Sequence, residues 1–153
     1  MRRIFALAVG VILLLGGLVG TSAASTPRTA SAASHPLSAA AAPSGCTSGN
    51  FCFWASTGYS DGPGKLSGKN SAWSAFSHSS CPSGTWDNCA SSDYNNGVSC
   101  VAVVWTGNSY TGSEGVVDRG TGGNFSSTFN NAVSSNSWAT PTYGTNSTCT
   151  GPV

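Results

Sequence analysis

Residues 53–62 read FWASTGYSDG and residues 104–112 read VWTGNSYTG. In the first stretch Trp54 is followed five residues on by Tyr59, with Gly58 between and Gly62 beyond. In the second, Trp105 is followed five residues on by Tyr110, with Gly107 between and Gly112 beyond. Each is an aromatic strand end, a glycine-bearing bend, a second aromatic and a further glycine. Aromatics so placed can pack across a folded hairpin while the glycines take φ values closed to other residues. Recurrence of a unit within one chain predicts repeated architecture. Two half-domains are expected, each built on one aromatic hairpin.

Working outward, the remaining apolar runs are short: FCFWA at 51–55, SAWSAF at 71–76, VSCVAVVW at 98–105 and GVVD at 115–118. Gly, Ser, Asn and Pro interrupt every candidate helical period. Aromatic and β-branched runs punctuated by turn residues predict an all-β sandwich or barrel, with these four runs as strands. Alternation in VSCVAVVW is imperfect, which suits a strand buried on much of both sides.

Downstream of each hairpin lies an oxygen-rich cluster, DNCASS at 87–92 and NNAVSS at 130–135. A hard cation such as calcium takes six to eight oxygen ligands and accepts carboxylates, amides, hydroxyls and carbonyls among them. Asp87 and Asn130 offer side-chain oxygens, Ser91 and Ser134 offer hydroxyls, and the bends at Asn88 and Asn131 expose carbonyls. The same residues also form Asx turns and backbone caps with no metal at all. Neutral oxygens compete poorly with water, so calcium binding is expected to be weak, about 10⁻⁴–10⁻³ M, with the Asp87 copy tighter.

The chain has 153 residues, formal charge +1 and only 7% charged residues. Arg2 and Arg3 precede an apolar run over residues 4–19 and small residues beyond it. That pattern predicts a secretory signal peptide over 1–24, the run being shorter than the ~20 residues of a spanning helix. Residues 25–44 are mostly Ala, Ser, Thr and Pro, too poor in large apolar groups to order themselves, so a disordered leader is expected. Residues 45–153 form the domain. It carries Lys65, Lys69 and Arg119 against Asp61, Asp87, Asp93, Glu114 and Asp118, a balance that recruits neither nucleic acid nor, once the signal is removed, a membrane surface.

All six cysteines, Cys46, Cys52, Cys81, Cys89, Cys100 and Cys149, fall in this domain. An even count in an exported chain of this size predicts disulfides. Zinc is disfavoured, because there is no CxxC pair and His78 is the one domain histidine. Fifteen pairings are open to six cysteines. The expected set is Cys46–Cys52 and Cys81–Cys89 as short clips, with Cys100–Cys149 holding the tail. HExxH, GxSxG and a phosphate loop are all missing, and His78 is expected to be a lone exposed loop residue, so no enzyme is predicted.

The paired W-x4-Y hairpins with DNCASS and NNAVSS resemble the βγ-crystallin superfamily and its microbial calcium signature [ND][ND]xx[ST]S. The stretch GCTSGNFCFWASTGYSDG at 45–62, with SSDYNNG at 91–97, resembles the actinobacterial βγ-crystallin-like metallopeptidase inhibitors. The likeness covers residues 45–138. It implies a disulfide-stabilised sandwich of two Greek-key motifs, with each cluster also drawing oxygens from the other half's hairpin. It further implies a secreted inhibitor that presents a rigid, substrate-like loop to a metallopeptidase.

Two segments could supply that loop. One is residues 81–89, with Pro82, Ser83, Gly84, Thr85 and Trp86 as its contact residues; the other is residues 121–127. Two further functions are weighed beside inhibition. One is a calcium-stabilised structural or cell-surface module. The other is a carbohydrate-binding or killer-toxin-like module, in which Trp73, Trp86 and Trp138 at the surface would stack on polysaccharide, while Trp54 and Trp105 serve the core.

Overall fold

The computed structural model describes residues 31–32, 41–141 and 149. The signal segment lies outside the described residues, as does the leader apart from residues 31–32 and 41–44. Among the described residues, eight strands and one 3₁₀ turn follow in chain order. The strands are β1 (Ser31–Ala32), β2 (Asn50–Trp54), β3 (Gly64–Leu66), β4 (Ser92–Asn96), β5 (Val101–Gly107), β6 (Thr111–Val117), β7 (Gly122–Asn124) and β8 (Ser135–Ala139); the turn is Trp73–Ala75. The SAWSAF run, expected as a strand, forms that turn instead. Its polar serines leave too little apolar alternation for a sheet face, and Trp73 uses the turn to drop fully into the core.

The strands form two four-stranded sheets, β3-β2-β4-β7 and β1-β6-β5-β8. Each half-domain lends a piece to the other's sheet. β7 comes from the second half but pairs antiparallel with β4, Asp93 opposite Gly123 and Tyr94 opposite Gly122. From the first half, Asn70 bridges to Asn136 of β8. Gly122 permits the first exchange, because it lies against the backbone of Asp93 and Tyr94 with no room for a Cβ. Between the sheets Phe53 stacks on Trp73 at 4.2 Å and meets Trp86 edge-on at 4.8 Å. Phe51, Val104, Val117, Phe129 and Val133 fill the same core. In β5, Val101 to Val104 are buried in succession, so this strand is covered on both faces.

The two hairpins fold alike. Trp54 meets Tyr59 edge-on at 5.0 Å, and Trp105 meets Tyr110 edge-on at 5.3 Å. Both tyrosines sit at φ 63°, a left-handed conformation that bulky residues avoid unless their surroundings hold them. The holding group is a fully buried serine, the last residue of each cluster. Ser92 Oγ accepts the Tyr59 N–H at 3.1 Å and donates to the Ser56 carbonyl at 2.7 Å. Ser135 Oγ accepts the Tyr110 N–H at 3.1 Å and donates to the Gly107 carbonyl at 2.6 Å.

Disulfides join Cys46–Cys52, Cys81–Cys89 and Cys100–Cys149. Cross-links of this kind typically stabilise small domains by about 2–4 kcal/mol each.

Candidate functional site

The two clusters meet across the junction of the halves. Asn88 and Asn131, the second residue of each, both take left-handed backbone, φ 55° and 53°. Their amides cross over: Asn88 N–H donates to the Val133 carbonyl at 3.0 Å and Asn131 N–H to the Ala90 carbonyl at 2.8 Å. The fifth-position serines cross as well. Ser91 Oγ donates to Asn131 Oδ1 at 3.0 Å, and Ser134 Oγ to Asn88 Oδ1 at 3.4 Å. Each cluster reaches its own hairpin through Ser91 N–H to Trp54 O and Ser134 N–H to Trp105 O. Across the halves, the two clusters thus bond to each other.

The first positions differ. Asp87 bonds through Oδ2 to its neighbour Asn88 at 3.0 Å, while its Oδ1 is buried with no hydrogen-bond partner. Asn130 is exposed. A buried carboxylate oxygen without a donor is costly, and a hard cation is one group that would satisfy it. That buried oxygen belongs to Asp87 alone; Asn130, the equivalent residue of the second cluster, is exposed and uncharged.

The loop closed by Cys81–Cys89 is held tightly. His78 N–H donates to Gly84 O, Cys81 N–H to His78 O, Gly84 N–H to Cys81 O and Trp86 N–H to Phe76 O, all between 2.8 and 3.1 Å. Pro82, Ser83 and Gly84 are exposed and Thr85 half-buried. Trp86 is not at the surface: it is buried in the core, with the His78 ring stacked on it at 4.0 Å. Burial of so large a ring in a small domain outweighs its display. His78 is half-buried rather than free, and its Nε2 lies 3.1 Å from Asp61 Oδ1.

A third region carries a feature that the sequence did not single out. Between β4 and β5, Val98 is 49% exposed, alone among the large hydrophobic side chains of the described residues. Its backbone is braced from several directions. The Arg119 guanidinium donates to the Val98 carbonyl at 2.6 Å. Asn95, fully buried, donates to Cys100 O at 3.0 Å and Val117 O at 2.9 Å, and accepts the Gly97 N–H at 2.8 Å. Asn96 Nδ2 donates to Cys46 O at 2.8 Å, and Gly49 N–H donates to Asn96 O at 2.8 Å. Three loops, 45–49, 96–99 and 118–121, are thereby tied into one end of the molecule. NNGVSC contains a turn dipeptide ahead of an isolated valine before a cysteine. That pattern was the available signal, hidden because Val98 heads an apolar run and reads as the first residue of the strand.

The other expected surfaces are occupied by the fold. Residues 121–127 are not a free loop, since β7 lies in them with Gly122 and Gly123 buried. Trp73 and Trp138 are buried like Trp86, so the three form no stacking face for polysaccharide; each fills space between the sheets. Trp105, expected in the core, is half-buried, its Nε1 donating to Glu114 Oε2 at 3.1 Å.

Comparison with known proteins identifies this scaffold. The model of peptidase inhibitor family I36 matches residues 39–117, just over half of the chain. The chain belongs to peptidase inhibitor family I36. The match takes in the first hairpin, both clipped segments and the whole of the 96–99 loop, and ends at the close of β6. I36 membership places the protein among inhibitors rather than enzymes. A solved structure from work on the evolution of the eye-lens βγ-crystallin domain fold is similar at 18% identity and a TM-score of 0.54, covering 64% of this chain and 93% of that one. Another, the N-terminal domain of protein S, is 16% identical with a TM-score of 0.47, over 60% of this chain and 97% of that one. At such identity the likeness concerns the fold alone, which is all-β and βγ-crystallin-like. No curated protein matches the chain closely enough to count as a relative.

Proposed function

We propose that this I36 protein is secreted and inhibits an extracellular metallopeptidase, with the 96–99 loop as its contact and Val98 as the anchoring side chain. Val98 carries this reading: an exposed apolar residue whose flanks are immobilised by Asn95, Asn96 and Arg119. Interfaces draw most of their affinity from a few anchors set in rigid surroundings. A loop already fixed in its bound shape loses little conformational entropy on docking. Immobilised flanks also hold a cut chain in place, so that cleavage does not release it. Secretion is supported by the three disulfides, which persist in oxidising compartments, and by the basic and apolar N-terminus. Among the described residues no helix is long and apolar enough to cross a membrane.

The test is a titration of pure protein against a metallopeptidase that prefers apolar residues, with a serine peptidase in parallel. Stoichiometric inhibition of the first alone is expected. Val98→Asp should weaken inhibition at least about thirtyfold, the loss of a ~2 kcal/mol anchor. Ser83→Lys, at the tip of the 81–89 loop, should leave it unchanged. If the Ser83 change abolishes inhibition and the Val98 change does not, the contact belongs to the 81–89 loop.

Calcium is a second, compatible role, favoured by the buried unpartnered Oδ1 of Asp87. Bound there, it would supply positive charge at the junction of the halves and stabilise the fold it binds. Asp87, Ser91 and the Asn88 bend are the residues that would hold it.

A further inference from the structure

We propose that Asn96–Gly97 is a guarded deamidation site, a bond of high intrinsic lability kept intact by the hydrogen bonds that build the Val98 loop. Asn followed by Gly is the sequence in which backbone attack on the side-chain amide meets least steric hindrance. The Gly97 nitrogen, once deprotonated, attacks Cγ of Asn96. The Cγ–Nδ2 bond breaks and ammonia leaves, and the resulting succinimide is opened by water. Opening at one carbonyl gives Asp; opening at the other gives isoaspartate, with an extra methylene in the backbone. One ammonia is lost and one water gained, and nothing is oxidised or reduced.

The fold requires this pair. A Cβ at position 97 would stand 2.8 Å from Asn95 Oδ1 and 2.9 Å from a ring carbon of Trp138, so glycine is needed there. The amide of Asn96 is needed to tie the loop to Cys46. Labile chemistry therefore comes with the architecture, and the same contacts restrain it. The attacking nitrogen is occupied, since Gly97 N–H donates to Asn95 Oδ1 at 2.8 Å. The leaving group is occupied too, since Asn96 Nδ2 donates to Cys46 O at 2.8 Å. Asn96 also sits in strand pairing, opposite Asn50, which holds its backbone extended. Attack then requires local opening of this end of the sheet, a minor state in a well-bonded region.

The product would disrupt what it touches. A carboxylate at 96 faces the Cys46 carbonyl with no proton to donate, and an added methylene displaces Val98. The consequence for inhibition rests on the function proposed above; the chemistry does not.

Two measurements on the unmodified protein decide the matter. Incubate it in mildly alkaline buffer beside the free peptide of residues 93–99, DYNNGVS, and follow Asn96 by peptide mapping for Asp and isoaspartate. Conversion in the folded protein should be at least about a hundredfold slower than in the peptide, as opening-limited chemistry demands. Hydrogen exchange should find the Gly97 amide protected to the level of the β4 amides. Equal conversion rates, or a freely exchanging Gly97 amide, overturns the guard. Inhibitory titre of the aged sample, read separately, should fall in step with conversion. A guarded Asn96 in a protein that inhibits nothing would overturn the inhibitory reading alone.

Discussion

The two half-domains carry the same hairpin and the same cluster, yet they are not equivalent. In the first, Trp54 is 2% exposed, and Asp87 holds a buried oxygen without a partner. In the second, Trp105 is half-buried with its indole on Glu114, and Asn130 faces solvent. What the halves share at their left-handed tyrosines is the serine lock, Ser92 on Tyr59 and Ser135 on Tyr110. The difference teaches which features the fold demands of each half and which are free to diverge. Hairpin closure is demanded twice; a fully buried hairpin tryptophan and an acid in the cluster occur in one half only.

That contrast can be broken at the tryptophans first. Trp54→Ala should cost ~3–5 kcal/mol, the range for removing a buried large ring. Trp105→Ala should cost roughly half as much, because less of it leaves water on folding. Chemical denaturation compares them directly, and equal losses would mean that the second half is as tightly packed as the first.

Next in size is the response to calcium. At a concentration about a hundred times Kd, binding to the folded state adds ~2.7 kcal/mol. Thermal melts with calcium and with chelator should differ for the wild type and for Asn130→Ala. They should coincide for Asp87→Asn. A calcium shift that survives Asp87→Asn would move the site away from the first cluster.

Ser92→Ala and Ser135→Ala should each cost ~1 kcal/mol or more, the penalty for leaving a part-buried N–H and carbonyl without their shared hydroxyl. The two losses should match, since the two serines make the same pair of bonds. Unequal losses would show that one hairpin is held by other means.

The smallest effect concerns pH. Burial raises the Tyr59 phenol above its ordinary 10.0, with the Asp93 carboxylate and Tyr94 adding to the rise. A raised value in the folded state favours the neutral phenol there. Its stabilising contribution is therefore whole below pH 10.0 and is lost as pH climbs through the higher folded value. Denaturation midpoints should fall above that pH, and Tyr59→Phe should make the fall shallower.

Much of this architecture was legible residue by residue. The hairpins announced themselves because a strand-ending aromatic, a glycine bend and a second aromatic are neighbours in sequence and act locally. The clusters were visible for the same reason, since turn chemistry is set within a few residues. SAWSAF misled because its aromatic residues suit a strand, while only Trp73 of the run is fully buried. Trp86 misled because a disulfide-closed loop looks exposed along its whole length until one knows what lies beneath it.

The sequence by itself determined that two similar β hairpins, each followed by an oxygen-rich bend, would share one small disulfide-clipped domain. Only the tertiary structure decided that β7 crosses into the other half's sheet, that the clusters bond to each other, that Trp86 turns inward and that Val98 stays out. Hairpins and bends are fixed by interactions a few residues apart. Exchange, burial and exposure depend on how segments dozens of residues apart are brought into register, and nothing in their local chemistry states that register.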